Sequence, residues 1–119
     1  MMLVLAIKVS AWSVDNPEHW RDYAYYIALK EQLNVGEFLA VIECESSFQN
    51  VQSGFVKDGK REESYGIVQI HIPSHSVSKE QALNPFFSIN WMRDKWLEGK
   101  KGIWSCWHTA GKNYLLKNS

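Results

Sequence analysis

Apolar positions in the first third of the chain recur at helical spacing. Trp20, Tyr23, Ile27 and Leu33 fall near one face of a helix. Asp15 or Asn16 can cap that helix, Pro17 suits its first position, and Glu18 complements the positive end of its dipole. The pattern predicts a first helix running to about Asn34, with Gly36 marking the break before a second that ends near Ser46. After Gln49 the period is lost. "KDGK", Lys57 to Lys60, has the chemistry of a tight turn, and the polar arm "REES" follows it, so this region reads as a small exposed β-hairpin or a long loop. "YGIVQI", Tyr65 to Ile70, is a compact apolar strip, and "HIPSHSVSKE" is a loop with Pro73 inside it and a helix cap at Ser78. Helical spacing then returns, with Phe86, Ile89, Met92 and Trp96 on one stripe, and a short aromatic helix is expected from Trp104 to His108. The expected class is α+β, mainly α, in one domain over residues 15–119.

The second helix poses a chemical question in "AVIECESSFQN", residues 40 to 50, where Glu43 and Glu45 flank Cys44. With about 100° of turn per residue and Phe38 set at zero, Val41, Ile42 and Phe48 lie within about 80°, Glu45 lies near the middle of their stripe, and Glu43 lies opposite. Glu43 is therefore a solvated surface acid. A carboxyl group turned into apolar surface loses hydration in its charged form, so its pKa rises, and an acid kept protonated near neutrality can act as a general acid. The alternative for Glu45 is structural: a capped backbone amide, or a buried pair with Lys or Arg.

Composition narrows the partner. The chain has 119 residues, enough for one core. Thirteen basic residues balance thirteen acidic ones, which removes the broad positive surface that nucleic acid or anionic lipid would demand. Six Trp, five Tyr and five Phe include candidates for flat platforms against sugar rings. The two cysteines, Cys44 and Cys106, lack C-x-x-C spacing. They can close a loop of about 60 residues by one bridge, or remain two buried thiols. Residues 1–14 begin with the apolar run "MMLVLAIKVSA", interrupted by Lys8 and without a basic leader, and read as a weak signal segment or the remnant of one. That run is too short to span a bilayer, so no stable membrane insertion is expected.

Glu45-Ser46-Ser47-Phe48, Tyr65-Gly66-Ile67-Val68-Gln69-Ile70 and Trp104-Ser105-Cys106-Trp107 occur in this order over Phe38 to Gly111. Together they resemble the lysozyme superfamily. In c-type lysozymes the catalytic Glu begins E-S-x-F, a Y-G-I-x-Q-I strand walls the sugar cleft, and W-x-x-W closes its far side. The lytic transglycosylases and goose-type lysozymes are similar, with E-S-x-F and G-L-x-Q; their Y-N-x-G close is matched loosely by His108-Thr109-Ala110-Gly111. The resemblance implies a lysozyme-like fold with a small hairpin beside a saccharide cleft, and Glu45 as acid and base. It also implies contacts to sugar from Ser64, Tyr65, Gln69, His71, Trp104 and His108, with Trp104 packed on Glu45. A Cys44–Cys106 bridge would tie the acid's helix to the Trp104 segment, and it would form in an oxidising compartment.

One position departs from the c-type pattern. The aspartate that precedes Y-G-I there is Ser64 here. A retaining glycosidase needs a second carboxylate, so Ser64 moves the expectation to the single-glutamate members, with Glu62 and Glu63 as substitutes if their loop folds inward. His71 and His75 stand four apart, but Pro73 between them breaks any helix that would bring both to a metal; they are expected as loop residues near the cleft. The sequence therefore predicts a peptidoglycan-cleaving glycosidase or lytic transglycosylase, acting on the β-1,4 MurNAc–GlcNAc bond as a monomer without cofactor or metal. It is expected outside the cytoplasm, in periplasm, wall or secretion, or as a phage product. The competing expectations are a non-catalytic lysozyme-like saccharide-binding or structural module, and an inhibitor or helical interaction domain.

Overall fold

The structure is a computed structural model that describes residues 16–117. The N-terminal apolar run and the Asp15 cap lie outside the described residues.

Helix α1, Pro17–Lys30, starts where the sequence asks it to: Asn16 accepts from the Glu18 amide at 3.0 Å and Pro17 occupies the first position. It buries Trp20, Ala24, Ile27 and Ala28. It stops four residues before the expected Asn34, because Gln32 turns left-handed (φ 58°) and Asn34 is used instead to cap the next helix through the Glu37 amide. Helix α2, Val35–Ser46, thus starts within one residue of the expected Gly36 and ends at the expected Ser46. The glycine permits close approach of Tyr114 from the last helix.

Helix α2 ends in two left-handed residues, Ser47 (φ 54°) and Phe48 (φ 60°). Phe48 is outside the helix, so its burial comes from this turn and not from helical phase. Beyond it, β1 (Val56–Lys57) and β2 (Lys60–Arg61) form the exposed hairpin that "KDGK" predicts, with Val56 opposite Arg61 and Lys57 opposite Lys60. The apolar strip is no single strand. β3 (Ser64–Tyr65) and β4 (Ile70–His71) make a second antiparallel hairpin, and Gly66 to Gln69 turn between them. Gly66 (φ 89°) and Gln69 (φ 56°) supply the positive dihedrals of the turn. A side chain at Gly66 would strike the Ala82 carbonyl.

The expected helix after Ser78 is two helices: α3, Lys79–Ala82, with a Ser78–Gln81 capping box, and α4, Pro85–Leu97, capped by Asn84. Ile89, Met92 and Trp96 are buried as expected, but Phe86 at the first turn is half exposed and packs edge-on against Trp20 and Tyr23. In place of a helix at Trp104–His108 there are two short 3-10 turns, Lys101–Ile103 and Ser105–His108, followed by α5, Ala110–Lys117. The fold is α+β, mainly α, with two small antiparallel hairpins. Its core joins α1, α2 and α4 around Trp20, Phe38, Val41, Ile42, Ile67, Ile89 and Met92, large side chains worth about 1.5–3 kcal/mol each when fully buried. Among the described residues no helix is long and apolar enough to cross a membrane.

Candidate active site

Helix α2 gives its two acids different surroundings. Glu43 is exposed and paired with Arg21 at 2.8 Å, a contact worth at most about 1 kcal/mol. Glu45, two residues on, is half-buried and faces an open cleft of about 520 Å³. The cleft is also lined by Ser53, Glu62, Ser64, Gln69, His71, Ser74, His75, Ile103, Trp104 and Ser105. Its volume suits a small-molecule or saccharide ligand, and most of those groups can hydrogen-bond hydroxyl or amide groups.

The second hairpin explains which sequence-predicted residues reach the cleft. Successive strand residues point to opposite faces, and residues opposite one another across the ladder share a face. Ser64 pairs with His71, and both line the cleft; Tyr65 pairs with Ile70, and both are buried. Tyr65 is therefore a core residue with the Lys79 ammonium 5.2 Å over its ring. Gln69 lines the cleft from the turn, with its amide nitrogen donating to the carbonyls of Val51 and Gly66 at 2.8 and 3.0 Å. That commitment leaves its amide oxygen as the group to meet a ligand. His108 lies outside the lining, its Nε2 2.9 Å from the Gly102 carbonyl.

Of the two candidate second carboxylates, only Glu62 enters the cleft; Glu63 is exposed and does not line it. Glu62 is held on both oxygens: Ser64 Oγ donates to Oε1 and Ser53 Oγ to Oε2, each at 3.1 Å. Its main chain is fixed as well, by Glu62 N to the Phe55 carbonyl at 2.8 Å and Gln52 Nε2 to the Glu62 carbonyl at 3.0 Å. Ser64, which replaces an aspartate in the resemblance, thus holds a carboxylate from two residues upstream.

Glu45 is framed from the opposite wall. The Cys106 amide donates to its Oε2 at 3.2 Å, and Cys106 is disulfide-bonded to Cys44 with Cα atoms 5.9 Å apart. The bridge is the pairing the sequence left open. Burial pushes the Glu45 pKa up, the Cys106 amide opposes this, and the negative charge of Glu62 adds to the rise. Trp104 lines the same cleft. Its Nε1 donates to the Val68 carbonyl at 2.7 Å, and its ring packs against Trp91 and Trp96. Ser46, beside Glu45, donates to the Ile67 carbonyl at 2.5 Å and so pins the end of α2 to the hairpin turn. His75 sets its ring edge-on to Trp91 at 4.9 Å, and burial together with Lys95 and His71 lowers its pKa. Among the described residues no group of three or more His, Cys, Asp or Glu side chains converges as a metal site.

Two features escape sequence reasoning. Ser53 enters the lining from a loop and Ser74, Ile103 and Ser105 from short 3-10 turns, where no periodicity announces them. Glu37 is almost fully buried, at 1% exposure, where it meets Lys101 and Trp107. Its helical phase, about 100° from Phe38 on the Val41 side, is the signal that could have singled it out.

Comparison with protein-family models, with curated proteins and with solved structures returns no match to the chain.

Proposed function

We propose that this chain cleaves the β-1,4 bond between N-acetylmuramic acid and N-acetylglucosamine in peptidoglycan, with Glu45 as the proton donor and acceptor. The observation that carries the reading is a half-buried carboxyl, raised in pKa, that faces a second carboxylate across a polar cleft. A carboxyl group raised in pKa beside a second carboxylate is the pattern of an acid and its counter-charge. The lysozyme-like fold and the sugar as substrate rest on the motif order from Glu45 to Trp107.

Protonated Glu45 gives its proton to the glycosidic oxygen as the bond to the anomeric carbon breaks, and the bonding electron pair leaves with that oxygen. Positive charge then develops on the muramoyl ring. Glu62, held by the Ser53 and Ser64 hydroxyls, supplies the negative charge that offsets it. A water molecule, or the ring's own 6-hydroxyl, attacks the anomeric carbon and gives its proton to the Glu45 carboxylate, which restores the acid. Trp104 and Ile103 give the cleft its apolar lining, while Gln69, His71 and the serines meet the sugar's hydroxyl and acetamido groups. The Cys44–Cys106 bridge favours a site outside the reducing cytoplasm.

Mass spectrometry of purified peptidoglycan after digestion tests this. New reducing ends identify water as the acceptor, and anhydro ends identify the 6-hydroxyl; both support the reading. Binding to the wall without any new chain ends would replace it with a saccharide-binding module.

A further inference from the structure

Residues 101–108 form one wall of the cleft, yet little in their own backbone holds them. They comprise two 3-10 turns of three and four residues with Trp104 between, and such turns have poor hydrogen-bond geometry and little stability of their own. Even so, this segment delivers Trp104 and Ser105 to the lining and the Cys106 amide to Glu45.

What grips it is Glu37. Lys101 Nζ lies 2.7 Å from Glu37 Oε1, and Trp107 Nε1 donates to the same oxygen at 2.9 Å. The Lys101 ammonium also stands 6.0 Å over the Trp96 ring and 5.6 Å over the Trp107 ring. One buried oxygen thus binds both ends of the wall to the first turn of α2, eight residues and about 12 Å of helix before Glu45. A buried ion pair is poor value as a stabiliser, since apolar residues of similar size serve as well or better. Its geometry, by contrast, fixes where a segment sits.

We propose that Glu37 is a positioning residue: through Lys101 and Trp107 it holds the Cys106 amide and the Trp104–Ser105 wall in register with Glu45. This rests on Glu45 being the acid of the reading above. The disulfide fixes Cys106, the bond from Trp104 Nε1 to the Val68 carbonyl fixes Trp104, and Glu37 fixes Lys101 and Trp107, so no one restraint replaces the others. When the wall drifts, Glu45 loses the amide that favours its charged form together with part of the burial that disfavours it, while the Glu62 charge stays, so its titration moves away from that of the wild type. The other titratable groups lining its cleft are Glu62, His71 and His75, all outside residues 101–108.

The test is a Glu37→Met/Lys101→Met variant, which removes both charges together. Glu37→Gln accompanies it, keeping an acceptor for Trp107 in case the double variant does not fold. The readouts are an NMR titration of the Glu45 side-chain carboxyl under non-reducing, disulfide-intact conditions and steady-state digestion of peptidoglycan. The proposal expects the Glu45 midpoint to shift from its wild-type value and kcat to fall about ten- to hundredfold with KM within twofold, more weakly in Glu37→Gln. A Glu45 midpoint equal to wild type in the folded variants would overturn it. If the wild type releases no product, the glycosidase reading fails, while the titration still decides the role of Glu37.

Discussion

Cys106 meets Glu45 through its main chain and the residue before it, Cys44, through its sulfur: the amide donates to Glu45 Oε2 at 3.2 Å while the disulfide closes alongside. The acid's helix and the opposite cleft wall are therefore joined at the carboxyl itself. Only the bridge is a feature the sequence offered. The amide contact follows from the 3-10 turn that presents Cys106.

The raised pKa of Glu45 sets the pH behaviour. In the proposed mechanism activity requires the protonated form, so kcat is expected to fall as pH rises through the folded pKa of Glu45, which lies above the ordinary 4.5. Stability follows the same sign. The folded chain keeps this proton to higher pH than the unfolded chain, so Glu45 costs stability as pH rises from about the unfolded value through the folded one. Glu45→Gln is then expected to unfold at a higher temperature than wild type at neutral pH, with the difference vanishing in acid. Thermal melts across pH 3 to 8 check this.

Removing the Glu62 charge acts on both groups. Glu62→Gln can still bond the Ser53 and Ser64 hydroxyls, so the fold should persist. Loss of the counter-charge is expected to lower kcat by about 100-fold. The alkaline limb of the pH–rate profile should move to lower pH, because the Glu62 charge is one cause of the raised Glu45 pKa. Rate measurements over pH on the same wall substrate read both effects.

The disulfide spans 62 residues, so its loss should lower unfolding free energy by about 4 kcal/mol in the chain-entropy view. Cys44→Ala/Cys106→Ala is expected to show this as a lower urea midpoint. It should also lower activity, because the Cys106 amide is no longer held on Glu45 from the cysteine side.

Gly66 is the backbone position on which the cleft floor depends. Its φ of 89° and the nearby Ala82 carbonyl leave no room for a Cβ. Gly66→Ala is expected to cost about 3 kcal/mol of stability. Because Gln69 bonds the Gly66 carbonyl at 3.0 Å, ligand affinity should weaken as well, which calorimetry with a soluble wall fragment can measure.

Much of this was legible from residue pattern. Asn16 and Pro17 open α1, Ser78 caps a helix, "KDGK" turns a hairpin, and helical phase separates Glu43 from Glu45, because each depends on local sequence. The failures share a different cause. Tyr65 reads as a cleft residue until the strip folds back at Gly66 to Gln69, and then strand alternation sends its ring inward and Ser64 outward. Glu62 reads as a solvated end of an exposed arm until Ser53 and Ser64 draw it into the cleft. Glu37 draws no reading from the sequence, and its partner Lys101 lies 64 residues later. Each depends on contacts between distant segments, which periodicity does not encode.

The central claim is that Glu45 is the acid, and turbidity clearing of purified cell walls by the Glu45→Gln variant tests it most directly. Glu43→Gln, altered only in its surface pair with Arg21, serves as the control. The account predicts that Glu45→Gln folds and binds wall but loses roughly 100- to 10,000-fold in rate, while Glu43→Gln stays within twofold of wild type. Clearing by Glu45→Gln at the wild-type rate would contradict it.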